Sequence, residues 1–145
     1  ICMQFNVDCA IGIMNYIINN QKIDYASGEY NVFYCTDFYN ADSLKNYDKE
    51  AIYYTIIKLK EGGYIDAVIT NHHNICRIFD IKGLTLHGHE FCEHMKEPTT
   101  VDKVKKGFKE IGKHSLSYAE AVIKECLVAS SREATKIAIQ QSGLL

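Results

Sequence analysis

Three stretches predict an α+β fold of winged-helix type. A helical run ends at Glu61-Gly62-Gly63-Tyr64-Ile65-Asp66, and a candidate β-hairpin with a small wing follows, with His72-His73 at its tip. Leu84-Thr85-Leu86-His87-Gly88-His89-Glu90-Phe91 then leads into another helix. Helix, glycine turn, hairpin and helix is the order of a winged helix-turn-helix with additional C-terminal helices. The 145 residues suffice for one domain with a real core. Residues 1–98 are assigned to the winged-helix domain and 99–145 to a C-terminal helical extension packed on it as a single structural unit.

The elements follow in order. Asn6 or Asp8 can cap a first helix, because a short polar side chain accepts from the free N–H groups of the first turn. Ile11, Met14, Ile17 and Ile18 recur at helical spacing, and Asn19-Asn20 ends the run. Ala26-Ser27-Gly28 reads as a turn. Tyr30 to Cys35 is a short strand candidate, with Tyr30, Val32 and Tyr34 alternating against Asn31 and Phe33. Asp37 to Asn46 reads as loop or short helix. Asp48 caps a helix from Lys49 to Glu61 whose inner stripe is Ile52, Ile56 and Leu59, and Gly62-Gly63 stops it. Ala67 to Thr70 is a strand, Asn71 to Asn74 a turn and Ile75 to Ile81 the returning strand. Strict alternation puts Ile75, Arg77, Phe79 and Ile81 on one face of that strand, with Cys76, Ile78 and Asp80 on the other. Leu86 to Lys96 is a helix with Phe91 and Met95 inward. Pro98 falls between helices, and Thr99 or Thr100 caps the next one, with Val101, Val104, Phe108 and Ile111 as its stripe. Ser117-Tyr118-Ala119-Glu120 reads as a capping box. The last helix carries Ala119, Val122, Ile123, Cys126 and Leu127, with a break near Ser130-Ser131.

Composition excludes several classes. No apolar run approaches membrane-spanning length, and the N-terminus lacks a charged region followed by an apolar one, so the expectation is a cytoplasmic protein without a membrane partner. Six cysteines spread over 145 residues read as reduced thiols packed as small hydrophobes. Net charge is −2 with two arginines, Arg77 and Arg132, so any nucleic-acid contact rests on local clusters.

Those clusters are few. In a winged helix, the helix before the wing can lie in a major groove while the hairpin tip touches the backbone or minor groove. Here that helix presents Lys49, Tyr53, Tyr54, Thr55, Lys58 and Lys60, but Asp48, Glu50 and Glu61 make it neutral and it has no arginine to read guanine. The wing offers His72 and His73, with Arg77 behind them. Lys103, Lys105, Lys106, Lys109 and Lys113 form the most basic stretch, read as a solvated face or as a phosphate-contacting ridge. Tyr53 and Tyr54 suit a protein contact equally well. Val122, Ile123 and Leu127 are a candidate dimer interface.

Metal and catalytic chemistry find little support. A zinc-protease helix needs histidines four apart, whereas His89 and His94 are five apart. No Cys-x-x-Cys pair exists for structural zinc. His89 is therefore read as a packed or helix-capping histidine, and neither metal nor cofactor is expected. No nucleophile elbow, phosphate-cradling loop or paired-carboxylate site is visible, so no enzymatic activity is expected.

The chain also resembles a family of uncharacterised winged-helix proteins common in bacterial genomes, prophages and other mobile elements. The similarity is carried by Leu59, Gly63, Ile65, Leu84, Thr85, Gly88, His89, Glu90 and Phe91, then Lys103 and Lys106. Its specific part is the Leu-Thr-x-x-Gly-His-x-Phe motif over Leu84 to Phe91. The chain departs from the family pattern where Thr55 or Tyr54 replaces a frequent histidine and Val101 replaces the usual tryptophan. The resemblance implies a winged-helix fold and no particular activity. The combined expectation is a non-enzymatic binder of double-stranded DNA, a phage or mobile-element transcriptional regulator. The alternative is a winged helix that binds, inhibits or adapts a host protein. Either form could be a homodimer.

Overall fold

Short polar side chains set where the helices begin. The computed structural model describes residues 4–72, 75–111 and 115–142. Among these, six α-helices, one 3₁₀ turn and a small antiparallel sheet make a mixed α+β chain. It divides into two units, Ile1–Met95 and Lys96–Leu145.

In the first unit, Asn6 accepts from the Cys9 N–H at 3.1 Å and starts α1 (Val7–Asn20). The buried face of α1 is Val7, Cys9, Ala10, Ile13, Met14 and Ile17. Of the residues expected in the stripe, Ile18 is exposed and Ile11 half-buried, because Cys9, Ala10 and Ile13 occupy the inner positions. Phe33 is buried against Tyr16 and Phe38, with ring centroids 6.0 and 6.1 Å away. This corrects the strand expected over Tyr30 to Cys35. Only Tyr30 and Phe33 form bridges, Phe33 rather than the tyrosines faces inward, and Cys35 already belongs to α2 (Cys35–Tyr39). A 3₁₀ turn (Asp42–Leu44) follows and buries Leu44.

Helix α3 (Lys49–Glu61) has the expected bounds. The Asp48 carboxylate accepts from the Ala51 N–H at 2.8 Å, and Ile52, Ile56 and Leu59 are buried. Thr55 is also buried, its hydroxyl donating to the Ala51 carbonyl at 2.7 Å, so it presents nothing outward. Gly63 supplies the left-handed residue at φ 78° that turns the chain into β1.

β1 (Ile65–His72) pairs antiparallel with β2 (Ile75–Leu84), so the hairpin is longer than expected and Asn71 and His72 are strand residues rather than turn. His73 and Asn74, the rest of the expected turn, lie outside the described residues. Two register shifts each leave an extra residue in β2, Asp80 between Phe79 and Ile81 and Lys82 between Ile81 and Gly83. Asp80 takes φ 48°. The bulges break the alternation, so Ile78 and Ile81, three apart, are both buried while Arg77 and Asp80 are exposed. Phe33 and Ile81 exchange backbone hydrogen bonds of 2.7 and 2.9 Å, adding a single-residue third strand on the far side of β2.

Thr85 joins the hairpin to α4 (Leu86–His94). Its hydroxyl oxygen accepts from the Gly88 N–H at 3.1 Å and its hydroxyl donates to the Gly63 carbonyl at 2.6 Å. Gly88 is buried against the Tyr64 backbone, where a Cβ would overlap the Tyr64 carbonyl oxygen. Phe91 meets the Tyr64 ring edge-on at 5.1 Å, and Met95 is buried. The Leu-Thr-x-x-Gly-His-x-Phe motif thus locks the start of α4 onto the end of α3.

The second unit is a pair of packed helices, α5 (Pro98–Ile111) and α6 (Leu116–Ser142). Pro98 is the first residue of α5, with the Val101 N–H donating to the Glu97 carbonyl at 3.1 Å. Proline suits that position because its missing N–H would have no partner in the helix. Thr100, Val104 and Phe108 are buried, with Tyr118 packed over Gly107 and 5.7 Å from Phe108. Ser115, not Ser117, caps α6 by accepting from the Tyr118 N–H at 3.2 Å. The helix continues through Ser130-Ser131 for 27 residues, about 40 Å, because serine lowers helix propensity without breaking the chain of hydrogen bonds.

Candidate nucleic-acid interface

The outward side of α3 carries two columns of residues four apart, Lys49 with Tyr53 and Tyr54 with Lys58. The Lys49 ammonium sits 5.8 Å from the centre of the Tyr39 ring on α2, and that of Lys58 5.5 Å from the Tyr54 ring. Lys58 also bonds Glu61 at 3.0 Å, and this hydrogen bond and charge raise its pKa above the usual lysine value. Lysine and aromatic ring therefore form one mixed surface. Tyr53 and Tyr54 are half-buried, Lys49 and Glu50 exposed. Burial first, then the neighbouring Cys35, pushes the Tyr39 phenol up to about 12. Burial likewise raises the thiols of Cys9 and Cys35.

The hairpin adds Arg77, exposed and paired in register with Thr70. His72 belongs to β1, and His73 lies outside the described residues. Lys49, Tyr53, Tyr54, Lys58 and Arg77 thus share the first unit. Lys103, Lys106 and Lys109 belong to the second, all exposed on α5, with Lys106 3.9 Å from Glu110. The residues expected at a dimer interface separate. Val122 and Ile123 are buried within the chain, which removes them from an outer surface, whereas Leu127 is 44% exposed.

His89 corrects another expectation. It is exposed rather than packed, because Gly88, not His89, makes the close approach to Tyr64. With Gln21, Tyr30, Asp66, Lys82 and Leu84 it lines an open cleft of about 310 Å³. One wall is an arm that the sequence did not lead us to expect. Ile23 pairs with Tyr30 across a turn closed by Asp24 and Glu29, and Tyr25 at its tip is 98% exposed. The signal was an apolar residue on each side of the Ala26-Ser27-Gly28 turn.

Among the described residues no group of three His, Cys, Asp or Glu side chains is placed to hold a metal ion, and no helix is long and apolar enough to cross a membrane. Cys9, Cys35, Cys92 and Cys126 are not joined in disulfides. A protein-family profile described as Hypothetical protein (DUF2513) matches residues 6–114. No curated protein and no solved structure matches the chain. Since that profile spans residues 6–114 of 145, the chain belongs to the family it describes.

Proposed function

We propose that the chain is a winged-helix protein that binds double-stranded DNA in the cytoplasm without catalysis, as a transcriptional regulator of a phage or mobile element. The observation that carries this reading is the order and pairing of the first unit. Helix α1, the Phe33 strand, α2, α3 and the β1–β2 hairpin follow one another, with α3 directly before the hairpin. In such an arrangement α3 enters the major groove, with Lys49, Tyr53, Tyr54 and Lys58 toward the bases and phosphates, and the wing with His72, His73 and Arg77 beside the backbone. The α5 lysines supply further phosphate contacts.

A protein-binding winged helix is the second reading. The Lys58–Glu61 pair and the tyrosines of α3 favour it, because they neutralise and cover the surface that would meet phosphate.

Fluorescence anisotropy of a random-sequence duplex at two salt concentrations tests the choice. Binding that weakens steeply with salt is expected for the DNA reading, with a log–log slope of about 0.9 per phosphate contacted. The double variant Lys49→Glu, Lys58→Glu should abolish it. Unchanged affinity in that variant rules out α3 as the groove helix, and no binding at low salt favours the protein partner.

A further inference from the structure

Three residues of the Leu84 to Phe91 motif are engaged in the fold. Thr85 caps α4, Gly88 takes the Tyr64 backbone and Phe91 meets the Tyr64 ring. His89 is exposed instead and lines the cleft beside the arm. That cleft is built by bonds within the first unit. Asn31 ties down the base of the arm, its side chain accepting from the Lys22 N–H at 2.7 Å and donating to the Asn20 carbonyl at 3.1 Å. The Gln21 amide donates to the Asn31 carbonyl at 3.0 Å, and its Oε1 rests on Gly83, where a Cβ would stand. The missing side chain of Gly83 therefore lets the arm close on the hairpin.

The arm gives the cleft an apolar wall, for Ile23 is 69% and Tyr30 47% exposed. The base of the hairpin gives it both signs of charge. Asp66 of β1 is in register with Gly83, and Lys82 is the extra residue of the bulge next to it. The side chains of Asp66, Lys82 and His89 make no hydrogen bond or ion pair among the described residues. Neighbouring, unmatched charges beside an apolar wall complement a ligand that carries the reverse pair close together on an apolar body. A carboxylate alone would be repelled by Asp66 and an amine alone by Lys82. A ligand with widely separated charges would miss one of the two. We propose that the cleft binds a free α-amino acid with an apolar or aromatic side chain. Its ammonium meets Asp66, its carboxylate meets Lys82 and a ring N–H of His89, and its side chain covers Ile23 and Tyr30. The volume of about 310 Å³ falls at the small end of ligand pockets, as such a ligand requires.

Isothermal titration calorimetry on the full chain with L-phenylalanine, L-leucine and L-methionine tests this. At least one should bind saturably, one molecule per chain. For that ligand, N-acetylation removes the ammonium and amidation removes the carboxylate. Each should weaken binding about tenfold or more, the worth of a hydrogen bond to a charged group. Asp66→Asn should weaken the free amino acid similarly and leave the N-acetyl form unchanged. Lys82→Gln should weaken the free amino acid and leave the amide unchanged. Both positions are exposed, so far-UV circular dichroism should not change in either variant. No saturable binding by any of the three in the millimolar range overturns the proposal. So do equal affinities for the free, acetylated and amidated forms, which would mark apolar adhesion to the arm, or binding that neither substitution alters.

Discussion

Gly88 shows how much one residue of the motif carries. Thr85 fixes the first turn of α4 by bonding the Gly88 N–H and the Gly63 carbonyl, which brings the Tyr64 backbone against Gly88. A methyl group there has nowhere to go, because its neighbour is backbone rather than a movable side chain. Gly88→Ala should cost about 1–3 kcal/mol in urea unfolding, the range for overpacking a closed site. Leu86→Ala, two residues earlier on the exposed side of the same helix, should stay within about 0.5 kcal/mol. A gain in stability on Gly88→Ala, which the better helix propensity of alanine alone would give, would show that the Tyr64 contact does not require the glycine. His89 beside it is not held by that constraint and faces the cleft, so adjacent positions of one motif serve packing and surface separately.

At the level of elements, locally encoded boundaries were legible and tertiary ones were not. Asp48 and Gly62-Gly63 mark both ends of α3 through bonds made within a few residues, and its bounds and inner stripe match the expectation. Outward Lys49, Tyr53, Tyr54 and Lys58 were legible for the same reason, whereas the burial of Thr55 depends on its neighbours, among them the Cys9 thiol from α1. The face of β2 was hidden by the bulge at Asp80, where aspartate takes a positive φ without the glycine that would announce it. The strand expected over Tyr30 to Cys35 came down to isolated bridges at Tyr30 and Phe33, because a pairing one residue long gives alternation nothing to repeat. The α6 cap failed differently. Two serines, Ser115 and Ser117, compete as start signals, and the glutamate at position 120 favoured the wrong one. Ser115→Ala should therefore destabilise the second unit by about 1 kcal/mol in thermal unfolding followed by circular dichroism. Ser117→Ala should change it by less than about 0.5 kcal/mol. The reverse order of effects would return the cap to Ser117.

Across the whole molecule, charge decides what kind of DNA binding is open to this chain. With a net charge of −2 the total field does not draw a polyanion in, so affinity has to come from cations gathered locally. The first unit gathers few, since Lys58 is already matched by Glu61 and Arg77 stands on the hairpin. The second unit gathers more, with Lys103, Lys105, Lys106 and Lys109 exposed on α5 and Glu110 drawing on Lys106. If the α5 ridge meets phosphate, replacing Lys103, Lys106 and Lys109 with alanine should flatten the log–log salt dependence by about 0.9 for each phosphate left unneutralised. Lys106→Ala should contribute least, because its charge is partly answered within the helix. Replacing Lys49 and Lys58 with alanine, which removes their charge without reversing it, should lower the slope independently of the ridge. If the ridge variant leaves both slope and affinity unchanged, α5 is a solvated face, and the phosphate contacts must lie on α3 and the wing. Measuring the slope for the wild type, the ridge variant and the α3 variant on one duplex therefore assigns the electrostatic part of binding to one unit, the other, or both.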